Sequence, residues 1–551
     1  MRTLSQLRFT LALLLACLAT VHFAPLAPAQ NQIQIITPAQ SNLAAVDGVL
    51  QRALQLESQK RWGEALTIYE EALRDFPNHA DLGNRHTLAK IHYDLARRYA
   101  DASFIRTLTE VDERQALSLY GEVLVKVDTH YVNSPDWNAL VARGTQDLQV
   151  ALHEPVFASR NVSGRSPAEL EAFANSVSQF TSSRKLQSRQ QAIDTVAAVA
   201  RYARQQLGMS ETAVIMEYTC AAIGALDSYS AYLTSDQLTD VYSQIEGNFV
   251  GLGIELKADN GALLIVNVIT GSPAERAGIR SGDRIIEVDG QATSKFSTDQ
   301  AADLLQGPEG SVVRVVVMNS ANQTRTLSVR REHVEVPSVD KVHIIDKDFG
   351  VGYLKLTCFQ KTTSRDLDAA LWKLHREGMK SLIIDLQGNP GGLLTASVEV
   401  ADKFVEGGVI VSTRGRSPLE DYNYSAHKAG TWRVPLVVLI DGDSASASEI
   451  FAGAIRDHRR GTIVGQRSYG KGSVQGIFPL GVAGSGVRLT TAKFFSPNGH
   501  PINMVGVQPD IVVQRTAKFA SDGAVKAATD LLSDSIIAAG VQAARRQTAQ
   551  R

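Results

Sequence analysis

The spacing of apolar residues changes near residue 245, and that change divides the chain into regions that cannot share one architecture. From 44 to about 240 glycine is sparse and apolar residues recur at three- and four-residue steps, the pattern of amphipathic helices. From 247 to 331 glycine and β-branched residues become frequent. Short runs at 250–256, 263–268, 284–288, 312–318 and 324–330 read there as strands bounded by turns, with one helix expected over 297–305. Beyond Pro337 strand-like runs at 351–356, 381–386, 409–413, 435–440 and 461–464 alternate with helical patterns at 364–376, 394–405 and 446–457, which predicts a mixed α/β layer. A last helix is expected over 522–547, with no motif attached to it. A chain of 551 residues is longer than one hydrophobic core usually serves, so the fold class is multidomain α/β.

The bulk chemistry excludes some functions. A net charge of -1 with no basic tract removes the electrostatic reason to expect nucleic acid as a partner. No His/Cys cluster has metal-ligand spacing, so neither a metal nor a cofactor is expected. Arg2 and Arg8 precede an apolar run over 9–21 and then Ala27-Pro28-Ala29, which fits a secretory leader over 1–29 and a mature chain starting near Gln30. That places the protein in the periplasm or another exported compartment. Retention of the run as an anchor and lipid attachment at Cys17 are the less favoured readings. Cys220 and Cys358, far apart in sequence, read as small buried hydrophobes.

Two strings carry reactive side chains. Ser444-Ala445-Ser446-Ala447-Ser448-Glu449-Ile450 follows an apolar strand, and Gly470-Lys471-Gly472-Ser473-Val474-Gln475 lies downstream. A serine hydroxyl attacks well only when a neighbour takes its proton, and an uncharged lysine amine can do so. Lys471 qualifies only if burial lowers its pKa from about 10.4. Ser446 to Glu449 is also a Ser-x-x-Glu capping box, an ordinary helix start. An extended 471–477 segment would put Lys471 and Gln475 on one face. His458 and His500 lie near these strings, but no spacing singles either out.

Three resemblances organise the rest. "GEALTIYEEALRDFP" places Ala65, Tyr69, Ala72 and Pro77 at tetratricopeptide-like offsets. The segment 245–335 resembles a PDZ domain on "VGLGIEL" and "GSPAERAGIRSGDRIIEVDG", which implies that Val250, Gly251, Leu252, Gly253 and Ile254 bind a peptide carboxylate and add the peptide as a strand. From about 119 to 513 the chain resembles the C-terminal processing peptidases, or tail-specific proteases, a Ser/Lys serine peptidase family with a PDZ domain. The strings that carry this are "ALDSYSAYL", "DLQGNPGGLL", "SASASEI", "GKGSVQ", "RLTTAKFFSPNGHPI" and "GVQPDI".

That resemblance implies Ser446 as nucleophile, Lys471 as general base and Gln475 as the residue that orients the lysine. The natural oxyanion donors are the backbone N–H of Ala447, just after that serine at a helix start, and that of Gly391 or Gly392 in the Gly-Gly turn, a choice the sequence leaves open. The resemblance also implies a crotonase- or Clp-protease-like α/β core. Ser228 stands where the family has proline and Gln387 where it has arginine.

The expected domains are a leader (1–29), a helical, tetratricopeptide-like module (30–160), a helical peptidase-family region (161–244), the PDZ domain (245–335), the Ser/Lys catalytic domain (336–515) and a helical tail (516–551). Expected partners are protein substrates with flexible C-termini, an adaptor docked on the helical module, and a second copy of the chain. The rival expectation is a catalytically silent PDZ and helical-repeat scaffold.

Overall fold

The computed structural model describes residues 38–549 other than 260–261, 294–303, 306, 428 and 515–530. The leader, Cys17 and most of the expected helix at 297–305 lie outside the described residues. The described residues fall into two compact units that divide after Lys90. In the first, the helices Pro38–Ser58 and Trp62–Asp75 pack together and the helix Ala80–Ala100 begins. Ala65, Tyr69 and Ala72 are all buried, and the Tyr69 hydroxyl donates to Glu57 at 2.6 Å, a carboxylate that Arg85 also pairs with.

The second unit starts with helices whose single apolar core runs from Ile91 to Ile223, so the boundary expected at residue 160 does not divide it. The same core includes Leu480, Val487 and Leu489 from the C-terminal α/β region. A short strand β1 (Ala231–Leu233) follows. Cys220 and Cys358 are both unpaired. Among the described residues no helix is long and apolar enough to cross a membrane.

The run read as one strand over 250–256 is two. β2 (Asn248–Gly251) ends before Leu252, and β3 (Ile254–Asp259) starts after Gly253, whose φ of +79° turns the chain. A side chain at Gly253 would meet the Ser272 Cβ at 2.3 Å, so this corner requires glycine on both conformational and steric grounds. β3 is the outer strand of a sheet completed by β4 (Ala262–Val268), β5 (Arg284–Val288), β6 (Gln291–Ala292), β7 (Val312–Met318) and β8 (Thr324–Arg330). β2 instead pairs antiparallel with β9 (Glu332–Glu335), a two-stranded ribbon through which the chain enters and leaves the PDZ-like sheet.

The remaining strands build two further sheets. β10 (Val339–Asp346), β11 (Val351–Leu356) and β12 (Ser381–Asp385) are followed by β13 (Gly408–Gly415), β14 (Tyr422–Ala426), β15 (Leu436–Ile440) and β16 (Thr462–Gly465). β17 (Ser473–Pro479), β18 (Gly486–Phe495) and β19 (Ile511–Val512) complete the set. One sheet has the order β10-β11-β12-β15-β16-β19, parallel except at the β10 edge.

Alternate residues of its central strands serve opposite faces. Leu382, Ile384, Leu436, Val438 and Ile440 pack under the helices Thr363–Arg376, Leu394–Asp402 and Ala447–Asp457. Ile383, Val437 and Leu439 face the terminal helix Ser535–Ala549, which therefore covers the other face of this sheet. The other sheet, β1-β18-β13-β14 with β17 beside β18, joins a strand of the helical region to the strands of the C-terminal α/β region.

Candidate active site

Three neighbouring parallel strands, β12, β15 and β16, end side by side, and the loops leaving them converge. Ligands in open α/β sheets collect at the carboxyl ends of strands, where such loops meet. The loop after β12 holds Asn389, Gly391 and Gly392, the turn after β15 holds Ser446, and the segment after β16 leads to Lys471.

Backbone and side-chain bonds stitch the loops together. The Leu386 N–H donates to the Leu439 carbonyl at 2.9 Å, and the Ser444 hydroxyl donates to the Leu386 carbonyl at 2.8 Å. The Ala445 N–H and the Ser448 hydroxyl both donate to the Asn389 carbonyl at 3.0 Å. The Tyr469 N–H donates to the Ser444 carbonyl at 3.0 Å.

Ser446 stands at the N-cap of the helix Ala447–Asp457 with φ 55° and ψ -114°. Such a backbone is rare for a residue with a Cβ and costs of order 1–3 kcal/mol unless the surroundings impose it. Gly391 is one imposing neighbour. A Cβ there would lie 2.7 Å from the Ala445 oxygen, 2.8 Å from the Ser446 Cβ and 2.9 Å from the Ala447 nitrogen, so only glycine lets the loop approach this turn.

The two glycines of that loop are not equivalent. The Gly391 N–H donates to the Asn389 side chain at 2.9 Å, while the Gly391 carbonyl accepts the Phe359 N–H at 2.9 Å. Phe359 also accepts the Leu393 N–H at 2.8 Å, so it grips the loop on either side of Gly392. Among the described residues no partner takes the N–H of Gly392 or that of Ala447.

Glu449 does more than cap. Its carboxylate is fully buried and accepts the Ser446 N–H at 2.8 Å, which is its half of the capping box. The same oxygen accepts the Lys471 N–H at 2.8 Å, and the other oxygen accepts the Gly470 N–H at 2.7 Å and the Ser468 hydroxyl at 2.5 Å. One atom therefore holds the backbones of Ser446 and Lys471 within two hydrogen-bond lengths of each other. Burial pushes the Glu449 carboxyl up, against these four bonds, which favour its charged form.

Lys471 is partly buried, and its Nζ lies 4.8 Å from the centre of the Tyr229 ring. Burial lowers its pKa from the ordinary lysine value, and the charge of Arg488 lowers it further, while Asp227 and Glu449 pull it back. Tyr229, Asp227 and Arg488 were not singled out from the sequence as neighbours of the lysine, although two of them lie in the "ALDSYSAYL" string. Gln475 behaves differently from its expected role. Its side-chain amide donates to the Ser473 hydroxyl at 2.9 Å and to the Ser473 carbonyl at 3.2 Å, because residues two apart on β17 share a face.

The two departures from the expected pattern are structurally mild. The Gln387 side chain turns back to Asp385 at 3.5 Å, with its N–H on the same carboxylate at 2.9 Å. Ser228 is exposed on a turn that Asp227 organises by accepting the N–H of Tyr229 and of Ser230. His458 binds the Val409 carbonyl at 2.8 Å, and His500 is exposed.

In the PDZ-like sheet, Ile254 opens the outer strand β3 and Leu252 is buried in that domain's core. Val250 and Gly251 belong instead to the ribbon, opposite His333 and Glu332. Of the two glycines in this stretch, only Gly253 has a positive φ, so the chain turns there.

Comparison with known proteins agrees with this architecture. The family model "Peptidase family S41" matches residues 350–513, and a PDZ domain model matches residues 264–318. A "Carboxy-terminal-processing protease" of Bartonella bacilliformis is 39% identical over 298 residues, 53% of this chain and 67% of that protein. A "Probable CtpA-like serine protease" of Staphylococcus aureus is 33% identical over 299 residues, 54% of this chain and only 58% of that protein. Among solved structures, a photosystem II D1 C-terminal processing protease covers 72% of this chain and 92% of its own at 27% identity, with a TM-score of 0.40. The two family matches take in β4 to β7 of the PDZ-like sheet and all three converging loops, and on the Bartonella alignment the chain belongs to the S41 carboxy-terminal-processing proteases.

Proposed function

We propose that this chain is an exported envelope endopeptidase that captures a flexible protein C-terminus on its PDZ domain and cuts peptide bonds with Ser446 and Lys471. The observation that carries the reading is the shared Glu449 oxygen, which ties the backbones of a strained serine and a partly buried lysine to one point. The compartment rests on the leader read at 1–29.

In the proposed cycle, the Ser446 hydroxyl passes its proton to the neutral Lys471 amine as its oxygen bonds the substrate carbonyl carbon. The carbonyl electron pair moves onto oxygen, where the N–H groups of Ala447 and Gly392 stabilise it. Of the two candidate glycines we assign Gly392, since the Gly391 N–H already serves Asn389. Collapse expels the amine product, which takes the proton from Lys471, and water then hydrolyses the acyl ester by the same steps. Gln475 would join the lysine only after leaving Ser473.

The base must be uncharged, so kcat/KM rises with pH as Lys471 loses its proton. Because burial and Arg488 pull that pKa down, the rise should level off below the ordinary value of 10.5. A pH–rate profile that climbs without inflection up to that value contradicts the assignment.

Capture is tested with one unfolded substrate in two forms, one with a free C-terminal carboxylate and one amidated. Intact-mass analysis should show kcat/KM at least about tenfold higher for the free form, the scale of one lost charge-assisted contact. Equal rates would remove the PDZ from recognition, and binding without any cutting would favour the scaffold.

A further inference from the structure

The turn at 227–230 takes no step in the proposed cycle, yet it lies against the lysine. Asp227 accepts the Tyr229 N–H at 2.8 Å and the Ser230 N–H at 2.7 Å, which fixes the turn. It is anchored on both flanks: the Tyr131 hydroxyl donates to the Leu226 carbonyl at 2.8 Å, and the Thr490 N–H donates to the Ser230 hydroxyl at 3.3 Å. β1, which follows at once, pairs with β18 so that Ala231 lies opposite Arg488. Tyr229 is consequently held by two cations at once, with the Lys471 Nζ over its ring at 4.8 Å and the Arg488 Nε donating to its carbonyl at 2.9 Å.

We infer that Tyr229 and Arg488 form a clasp that positions the Lys471 amine and sets how readily it gives up its proton. The clasp rests on the reading of Lys471 as general base, and it gives the "ALDSYSAYL" string a role. The charged groups around the lysine come from three elements: Asp227 and the Tyr229 ring from the turn, Arg488 from β18, and Glu449 from the helix Ala447–Asp457.

The two arms of the clasp act with opposite sign. The electron-rich face of Tyr229 favours the ammonium, because a cation over an aromatic ring is attracted to it. Arg488 disfavours it, because two positive charges in a partly buried site repel. Arg488 is itself partly buried, and burial lowers its own pKa while Asp227 supports its charge. The ring therefore gives the resting amine a fixed place, and the guanidinium keeps it easy to deprotonate.

The test uses the full chain and does not require peptidase activity. Trace acetylation of Lys471 is followed from neutral to strongly alkaline pH, and the labelled peptide is quantified by mass spectrometry. In the wild type the midpoint should lie below that of exposed lysines in the same sample. Arg488→Met should move it up, reducing the neutral fraction near neutral pH by about tenfold for each unit gained. Arg488→Lys should restore it, and Tyr229→Leu should move it down.

A purely structural role would move both variants the same way or neither, and either result overturns the clasp. If Arg488→Met does not fold by circular dichroism, the Tyr229→Leu shift decides alone, and an unchanged midpoint there overturns it. A chain that cleaves nothing but shows these opposed shifts would sink the proposed function while leaving the clasp intact.

Discussion

Ser446→Ala is expected to lower kcat/KM for a flexible substrate by about four to six orders of magnitude, and Lys471→Met by a comparable amount. The two groups act as one unit, since a hydroxyl without its base and a base without its hydroxyl are equally unproductive. The double variant should therefore be scarcely slower than either single one. This non-additivity is the sharper part of the prediction, because two independent contributions would multiply.

The fold should survive both changes. Ser446 keeps its strained φ of 55° whether it carries a hydroxyl or a methyl, and the Glu449 bond to its N–H is unaffected by the side chain. Binding of a free C-terminus to the PDZ domain should stay within about twofold, below the 1.4 kcal/mol that marks a tenfold change. Kinetics on the three variants with a mass-resolved substrate, beside peptide titrations, give the result. A Ser446→Ala protein that keeps a tenth of the wild-type rate would place the nucleophile elsewhere.

The sequence shows local pattern well and tertiary convergence poorly, and particular residues show why. Strands such as Leu436–Ile440 and helices such as Thr363–Arg376 are legible because their periods are set by a buried face. The break inside 250–256 is not, since an apolar run with two glycines reads as one strand until Gly253 is seen at positive φ against Ser272. The strings around Ser446 and Lys471 were visible, whereas the choice between Gly391 and Gly392 depended on where the Asn389 side chain points.

The family resemblance gives Gln475 the task of orienting the lysine, and strand alternation puts the two on one face. That argument fixes a face but cannot tell Lys471 from Ser473, which lies nearer along the same face and takes the bond. The terminal helix showed no motif because its task is apolar: Ile536, Ile537 and Val541 cover the back of the sheet, and only the fold says which sheet. Tyr229 lies far from Lys471 in sequence and is brought to it by the pairing of β1 with β18, the strand that carries Arg488 and also pairs with β17.

Glu449 shows the same limit most clearly, and it carries the second large prediction. In sequence it is the third residue of a helix with a serine cap, and capping explains it completely. In the fold its carboxylate also receives Gly470, Lys471 and Ser468 from another loop. Glu449→Gln preserves the shape but replaces one acceptor oxygen by an NH₂ that faces N–H donors. Donors to that oxygen lose their partner, at about 1–3 kcal/mol for each buried group left unsatisfied. Relief requires the 468–471 segment to move away from the helix that carries Ser446.

A misplacement of about 1 Å between reacting groups costs on the order of 10²-fold in rate. We therefore expect kcat to fall by about 10²–10³-fold with KM changed little, because the PDZ domain and the substrate path are untouched. The melting temperature should fall as well. Simple instability would be relieved on cooling, whereas a displaced lysine stays displaced in a folded protein, so the deficit should persist at low temperature where circular dichroism shows native structure. A Glu449→Gln enzyme that retains more than half its kcat would reduce this carboxylate to a helix cap, and the juxtaposition of Ser446 and Lys471 would need another cause.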